Sequence, residues 1–166
     1  MTSFEPSVAA LALALRASGL KLVTAESCTG GLIAAACTAV AGSSEWFERG
    51  FVTYSNAAKT DSLGVDAGLI DAQGAVSEAV ARAMVEGALA HSKADLAVAV
   101  TGIAGPGGGS VDKPVGTVWL ATARRDGSTR AELLRLSGNR SAIREQTVVR
   151  ALQALLARAF HGERGA

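Results

Sequence analysis

VTAESCTGG, Val23 to Gly31, carries an apolar run into an acid, a hydroxyl, a thiol, a second hydroxyl and two glycines. The residues before it, LKLVTA (20–25), have the apolar character of a strand. Those after it, within TGGLIAAACTAVA (29–41), are small and apolar and read as a buried helix that ends at Gly42. A strand that runs directly into a helix is the basic unit of an α/β fold. It also sets the turn at the carboxyl edge of the sheet, where such folds bind ligands. The start of the helix offers unpaired N–H groups and a positive dipole end. A phosphate or a developing oxyanion near Ser27 is stabilised there.

Local pattern leaves several roles open in this turn. Ser27 is either a nucleophile or a helix cap. Cys28 is either a nucleophile or small buried filler, and Cys37 belongs to the core. Glu26 either orients a ligand or hydrogen-bonds the turn. Thr29, Gly30 and Gly31 are read as ligand-facing backbone, because glycine permits close approach.

The rest of the chain repeats the α/β alternation. PSVAALALALRAS (6–18) reads as a first helix, opened by Pro6 and Ser7 and stopped by Gly19. ERGFVTYS (48–55) reads as a second strand, followed by a short helix from Asn56 to about Leu63. VSEAVARAMVEGALAHS (76–92) is an amphipathic helix with Ser77 as its cap. ADLAVAVTG (94–102) and VGTVWLATAR (115–124) read as buried strands. TRAELLRLSG (129–138) reads as a strand nearer an edge, because Arg130 and Arg135 interrupt it. The last two strands lack a helix between them and predict an antiparallel hairpin about Asp126-Gly127. SAIREQTVVRALQALLARAF (141–160) is the longest helix. The expectation is a three-layer α/β/α sandwich with a mixed central sheet, formed as a single domain over 1–166.

Composition narrows the function. The chain has 166 residues, 49% hydrophobic and 19% charged, with a net charge of +1 and 4% aromatics. Neither a basic surface nor a stacking platform is implied, so no direct nucleic-acid contact is expected. The two cysteines and two histidines have no metal-ligand spacing, so no metal is expected. The N-terminal apolar stretch is broken by Arg16 and lacks a basic leader, and no run reaches the ~20 residues that span a bilayer. A soluble cytoplasmic chain with no membrane contact follows as the expectation.

Chemistry concentrates at two further segments. YSNAAK (54–59) supplies Tyr54, Ser55, Asn56 and Lys59. A serine nucleophile needs a base. His91 closes a helix and His161 lies in the tail, which disfavours a histidine triad. A lysine whose pKa is lowered by its surroundings can serve instead. Ser27 and Lys59, assisted by Tyr54, are then chemically coherent, although Lys59 also fits a solvated helix surface and Tyr54 a half-buried core. VTGIAGPGGGS (100–110) matches neither GxxxxGK[ST] nor GxGxxG. It is either a lid, a backbone cradle or a mobile loop, and Thr101, Gly102 and Gly105 open it. Arg140 and Arg144 lie four apart at the start of the last helix and suit a phosphate or carboxylate, or form an exposed charged turn.

TAESCTGG, AGSSEWFERGFVTYSNAAK, GAVSEAVARAM, VTGIAGPGGGS followed by KPVGTVW, and SGNRSAIR occur in this order. Together they resemble the C-terminal domain of the CinA (competence/damage-inducible) family over roughly residues 7 to 160. No additional N-terminal domain of the larger members accompanies them, so the resemblance is to the stand-alone amidohydrolases. The resemblance implies a three-layer α/β domain, commonly dimeric. It implies hydrolysis of nicotinamide mononucleotide to nicotinate mononucleotide and ammonia, with no cofactor. It places the family's serine on Ser27 and the tyrosine and lysine of its YSNxxK motif on Tyr54 and Lys59, with Thr101, the glycine loop and Arg140 assigned to the substrate. The competing expectations are a non-catalytic nucleotide-binding domain, an interaction module associated with competence or DNA damage, and a Ser–Lys hydrolase of another amide.

Overall fold

The computed structural model describes residues 4–160. Its elements follow the chain as α1 (Glu5–Ser18), β1 (Leu22–Glu26), α2 (Leu32–Thr38), a one-turn 3₁₀ helix (Ser43–Glu45), β2 (Phe47–Val52), α3 (Asn56–Leu63), α4 (Ala67–Gln73), α5 (Glu78–Ala90), β3 (Leu96–Gly102), β4 (Thr117–Arg124), β5 (Thr129–Arg135) and α6 (Arg140–Phe160). The five strands form one sheet in the order β2-β1-β3-β4-β5. β1 is parallel to both its neighbours, whereas β4 and β5 run antiparallel and join as a hairpin. The mixed sheet expected from sequence is present.

Alternation along the central strands divides the core into two layers. Leu96, Val98 and Val100 of β3 point to one face and pack with α1, α2 and α6. Ala97 and Ala99 point to the other, where α5 and the α3–α4 segment lie over them through Val80, Met84, Leu63 and Ile70. The small alanines on that side let α5 sit close to the sheet.

Local chemistry sets the helix ends. α1 begins with Pro6 in its first turn and stops at Gly19, whose φ of 70° lets its N–H bond back to the last carbonyls. Ser55, Asp66 and Ser77 cap α3, α4 and α5 by accepting from Ala58, Leu69 and Val80 N–H groups. α4 has no counterpart in the sequence reading, because only its cap and one buried residue, Ile70, distinguish it from a loop. β2 ends at Val52, so Tyr54 lies in the turn beyond the strand and not within it.

Parallel pairing decides where the site can form. Glu26, the last residue of β1, pairs with Val52 on one side and Val100 on the other. The segments leaving β1, β2 and β3 therefore emerge side by side at one edge of the sheet. α3 then has to sit tightly under α5. Gly87 makes this possible, since a Cβ there would overlap the backbone carbonyl of Leu63 at the end of α3.

Gly87→Ala therefore gives a sharp test of the packing. Helix propensity alone favours alanine by about 1 kcal/mol. The contact with Leu63 predicts the opposite sign, a loss of roughly 1–3 kcal/mol. Thermal unfolding should show a lower midpoint, and a raised one would contradict the packing.

Candidate active site

The turn after β1 is held on all sides. Ser27 N–H continues the strand pattern by donating to Val100 O at 3.1 Å. Gly30 N–H donates back to Ser27 O, and Leu32 N–H to Thr29 O, both at 3.1 Å. Gly30 and Gly31 have φ values of 58° and 105°, which a side chain would disfavour. Glu26 is fully buried. Its carboxylate accepts from Thr29 Oγ1 at 2.6 Å, Ile33 N–H at 2.8 Å and Ala34 N–H at 3.0 Å. Gly31 has no side chain with which to cap α2, so the preceding strand supplies the cap.

Four residues assigned to the substrate from sequence are engaged within the turn itself. Glu26, Thr29, Gly30 and Gly31 do not line the cleft described below. Glu26 and the Thr29 hydroxyl are engaged with each other and with α2. The close approaches at the glycines are made by Arg144 Nη2 and by Val52, each 3.5 Å from where a Cβ would stand. The helix start expected at Thr29 is delayed to Leu32 for the same reason.

Lys59 faces Ser27. Its Nζ lies 3.0 Å from Ser27 Oγ, 3.0 Å from Thr53 O and 3.3 Å from Tyr54 O. Lys59 is 1% exposed and Ser27 8%. Ser55 caps α3 one turn before Lys59 and fixes the face on which the lysine projects. Burial lowers the Lys59 pKa below its usual value, with the neighbouring Cys28 opposing weakly. A neutral amine has two hydrogens and one lone pair. Two carbonyls accept the hydrogens, which turns the lone pair toward the Ser27 hydroxyl.

This pair forms the floor of an open cleft of about 270 Å³. Tyr54, Thr101, Gly102, Gly105 and Arg140 also line it, as do Asn56, Val76 and Gly107. Apart from the lysine amine, the lining holds one cationic side chain, Arg140, and no carboxylate. Arg140 bridges the mouth, donating to Gly105 O at 2.8 Å and to Tyr54 Oη at 3.0 Å. Tyr54 is 60% exposed, and its hydroxyl meets Arg140 whereas its carbonyl meets Lys59. Thr101 lines the cleft, but its hydroxyl donates to Ala75 O at 2.9 Å and so moors the segment before α5. Asn56 carried no assigned role in the sequence reading, although its place directly after the cap of α3 turns it to the cleft.

Other nucleophile and base candidates fall away on geometry. Burial raises the Cys28 thiol to about 11, so little thiolate is available near neutrality. Cys37 is buried in the core and raised to about 12. The His91 Nδ1 lies 2.8 Å from Gly87 O at the end of α5. His161 lies outside the described residues. Arg144, grouped with Arg140 in sequence, does not line the cleft. It reaches the opposite side of the Ser27 turn, donating from Nε to Cys28 O at 3.2 Å and from Nη2 to Thr29 O at 3.1 Å.

Known proteins match both chain and fold. A curated nicotinamide-nucleotide amidohydrolase PncC from Escherichia coli K12 is 56% identical over 144 residues, covering 86% of this chain and 86% of its own. The crystal structure of a competence/damage inducible protein from Agrobacterium tumefaciens is 52% identical with a TM-score of 0.84, covering 89% of this chain and 94% of its own. A CinA superfamily structure from Klebsiella pneumoniae reaches a TM-score of 0.90 at 40% identity, covering 95% and 98%. The family model described as the CinA C-terminal domain matches residues 5–159, and on that span the chain belongs to the CinA C-terminal domain family.

Proposed function

We propose that the chain is a nicotinamide-nucleotide amidohydrolase, which converts nicotinamide mononucleotide to nicotinate mononucleotide and ammonia. The observation that carries the chemistry is the buried Lys59 Nζ, 3.0 Å from Ser27 Oγ in the floor of a cleft whose mouth Arg140 bridges. The substrate follows from the PncC relatives, whose names state this activity and which align over most of the chain. Ionisable lining of one sign suits an anionic nucleotide. The domain is taken to act in the cytoplasm as a homodimer, as the family resemblance implies.

The reaction runs in two halves. Neutral Lys59 accepts the Ser27 proton as Oγ attacks the carboxamide carbon, and the carbonyl electron pair moves to oxygen. The backbone N–H groups that follow Ser27, those of Cys28 and Thr29, serve as the donors to the developing oxyanion. Collapse of the intermediate breaks the C–N bond, and the Lys59 ammonium returns the proton to the leaving nitrogen, releasing ammonia. Water then attacks the acyl-enzyme, Lys59 takes its proton, and Ser27 leaves as the hydroxyl. Lys59 thus serves both halves, and the assistance expected of Tyr54 from sequence falls on the substrate. Tyr54 acts with Arg140 on the bound nucleotide instead.

Ammonia release with nicotinamide mononucleotide, free nicotinamide and the dinucleotide tests the reading directly. Turnover should be greatest with the mononucleotide, and binding without ammonia release would favour a non-catalytic nucleotide-binding domain. Ser27→Ala and Lys59→Ala should each lower kcat by about a thousandfold or more. Retained turnover in Ser27→Ala would exclude the covalent scheme.

The pH profile follows from the direction of the Lys59 shift. The active form is the neutral amine, so kcat/KM should rise with pH and level off above a pKa lying below 10.5. An inflection at or above 10.5 would contradict a buried base. Tyr54→Phe removes only the hydroxyl that meets Arg140, so it should raise KM several-fold and leave kcat within about threefold. A kcat loss comparable to Lys59→Ala would restore the tyrosine to the proton path.

A further inference from the structure

We propose that Arg144 is a positioning residue that sets the oxyanion site of the Ser27 turn from outside the cleft. The proposal deepens the amidohydrolase reading and rests on it for the chemistry. Arg144 comes from α6, 115 and 116 residues along the chain from the two carbonyls it grips. Its Nε and Nη2 take Cys28 O and Thr29 O as a fork, a geometry that a guanidinium offers and an ammonium does not. Position 30 carries no side chain, and a Cβ there would stand 3.5 Å from Nη2.

The consequence for the donors is geometric. The Cys28–Thr29 peptide is trans, so its N–H points away from the carbonyl that Arg144 holds. Holding Cys28 O therefore fixes the Thr29 N–H on the far side from Arg144. Ser27 O is held by Gly30 N–H, which fixes the Cys28 N–H in the same manner. Glu26 grips the turn through Thr29 Oγ1 and the first N–H groups of α2. The two peptide planes after Ser27 are thus clamped between a carboxylate and a guanidinium. The Cys28 and Thr29 N–H groups, next in the chain to the nucleophile, are thereby held in fixed directions. Fixed donors of this kind cost no reorganisation when charge develops. Without the fork, the Cys28–Thr29 peptide can rotate and turn the Thr29 N–H away from the reacting oxygen.

Arg144→Met and Arg144→Lys separate this role from its rivals. Hydrogen exchange at the Gly30 and Leu32 amides should quicken at least tenfold in Arg144→Met while the core amides of α6 keep their protection. With nicotinamide mononucleotide, kcat should fall about a hundredfold with KM within threefold, as for the loss of an oxyanion donor. Arg144→Lys should recover only part of kcat, since one ammonium cannot hold both carbonyls. Should Arg144→Met fail to fold, Arg144→Lys carries both measurements. Unchanged exchange at the turn, or unchanged kcat, overturns the proposal. So does a loss confined to KM, which would make Arg144 a substrate ligand. A wild-type protein that releases no ammonia would overturn the amidohydrolase reading, while the exchange experiment would still judge the clamp.

Discussion

A lysine amine with almost no contact with solvent is the constraint around which this molecule is arranged. Burial at that position penalises the ammonium and lowers the pKa of the amine, and no carboxylate lines the cleft to oppose the shift. Neutrality in turn gives the amine a direction. Its hydrogens need acceptors, which the carbonyls of Thr53 and Tyr54 supply, and its lone pair needs a donor, which Ser27 supplies. The two carbonyls follow the end of β2 and the serine follows the end of β1. The parallel pairing of β1 with β2, the cap on α3 and the close seating of α3 under α5 all bear on this one contact.

The Ser27 turn shows the complementary strategy. Backbone groups that a helix would ordinarily leave open are engaged by side chains from elsewhere. Glu26 reaches across from the strand to the first N–H groups of α2, where its negative charge also meets the positive helix end; such an interaction contributes about 1 kcal/mol, up to about 2 when partly buried. Arg144 engages the carbonyls on the other side. The turn is consequently shaped by charges that do not line the cleft, and the cleft itself holds Arg140 and no carboxylate.

Much of this was legible in the chain. The buried runs of β1 and β3, the Ser77 cap of α5 and the hairpin between β4 and β5 have strong local signals, and the mixed three-layer fold follows from them. Ser27 and Lys59 were legible as chemistry because a serine without a usable histidine needs another base. Their meeting was not, since it depends on the register that sets Glu26 opposite Val52. Glu26 was ambiguous because a cap donated from a strand, seven and eight residues before the N–H groups it serves, has no short-range motif. The glycines at 30 and 31 looked like room for a ligand, whereas the turn needs them for their positive φ of 58° and 105°. α4 escaped notice because it buries only Ile70 and so has almost no periodic pattern.

The reach of Arg144 back to the turn also has a bearing on biosynthesis. Ribosomes deliver the nucleophile early and the guanidinium more than a hundred residues later, at about 5–20 residues per second. Sheet strands β1 and β3 are likewise separated by the whole α3–α5 region, so their pairing must close a long loop. A half-made polypeptide therefore presents serine and lysine without the strut that orders the peptides between them. The turn gains its last contacts only when the final helix has emerged and docked.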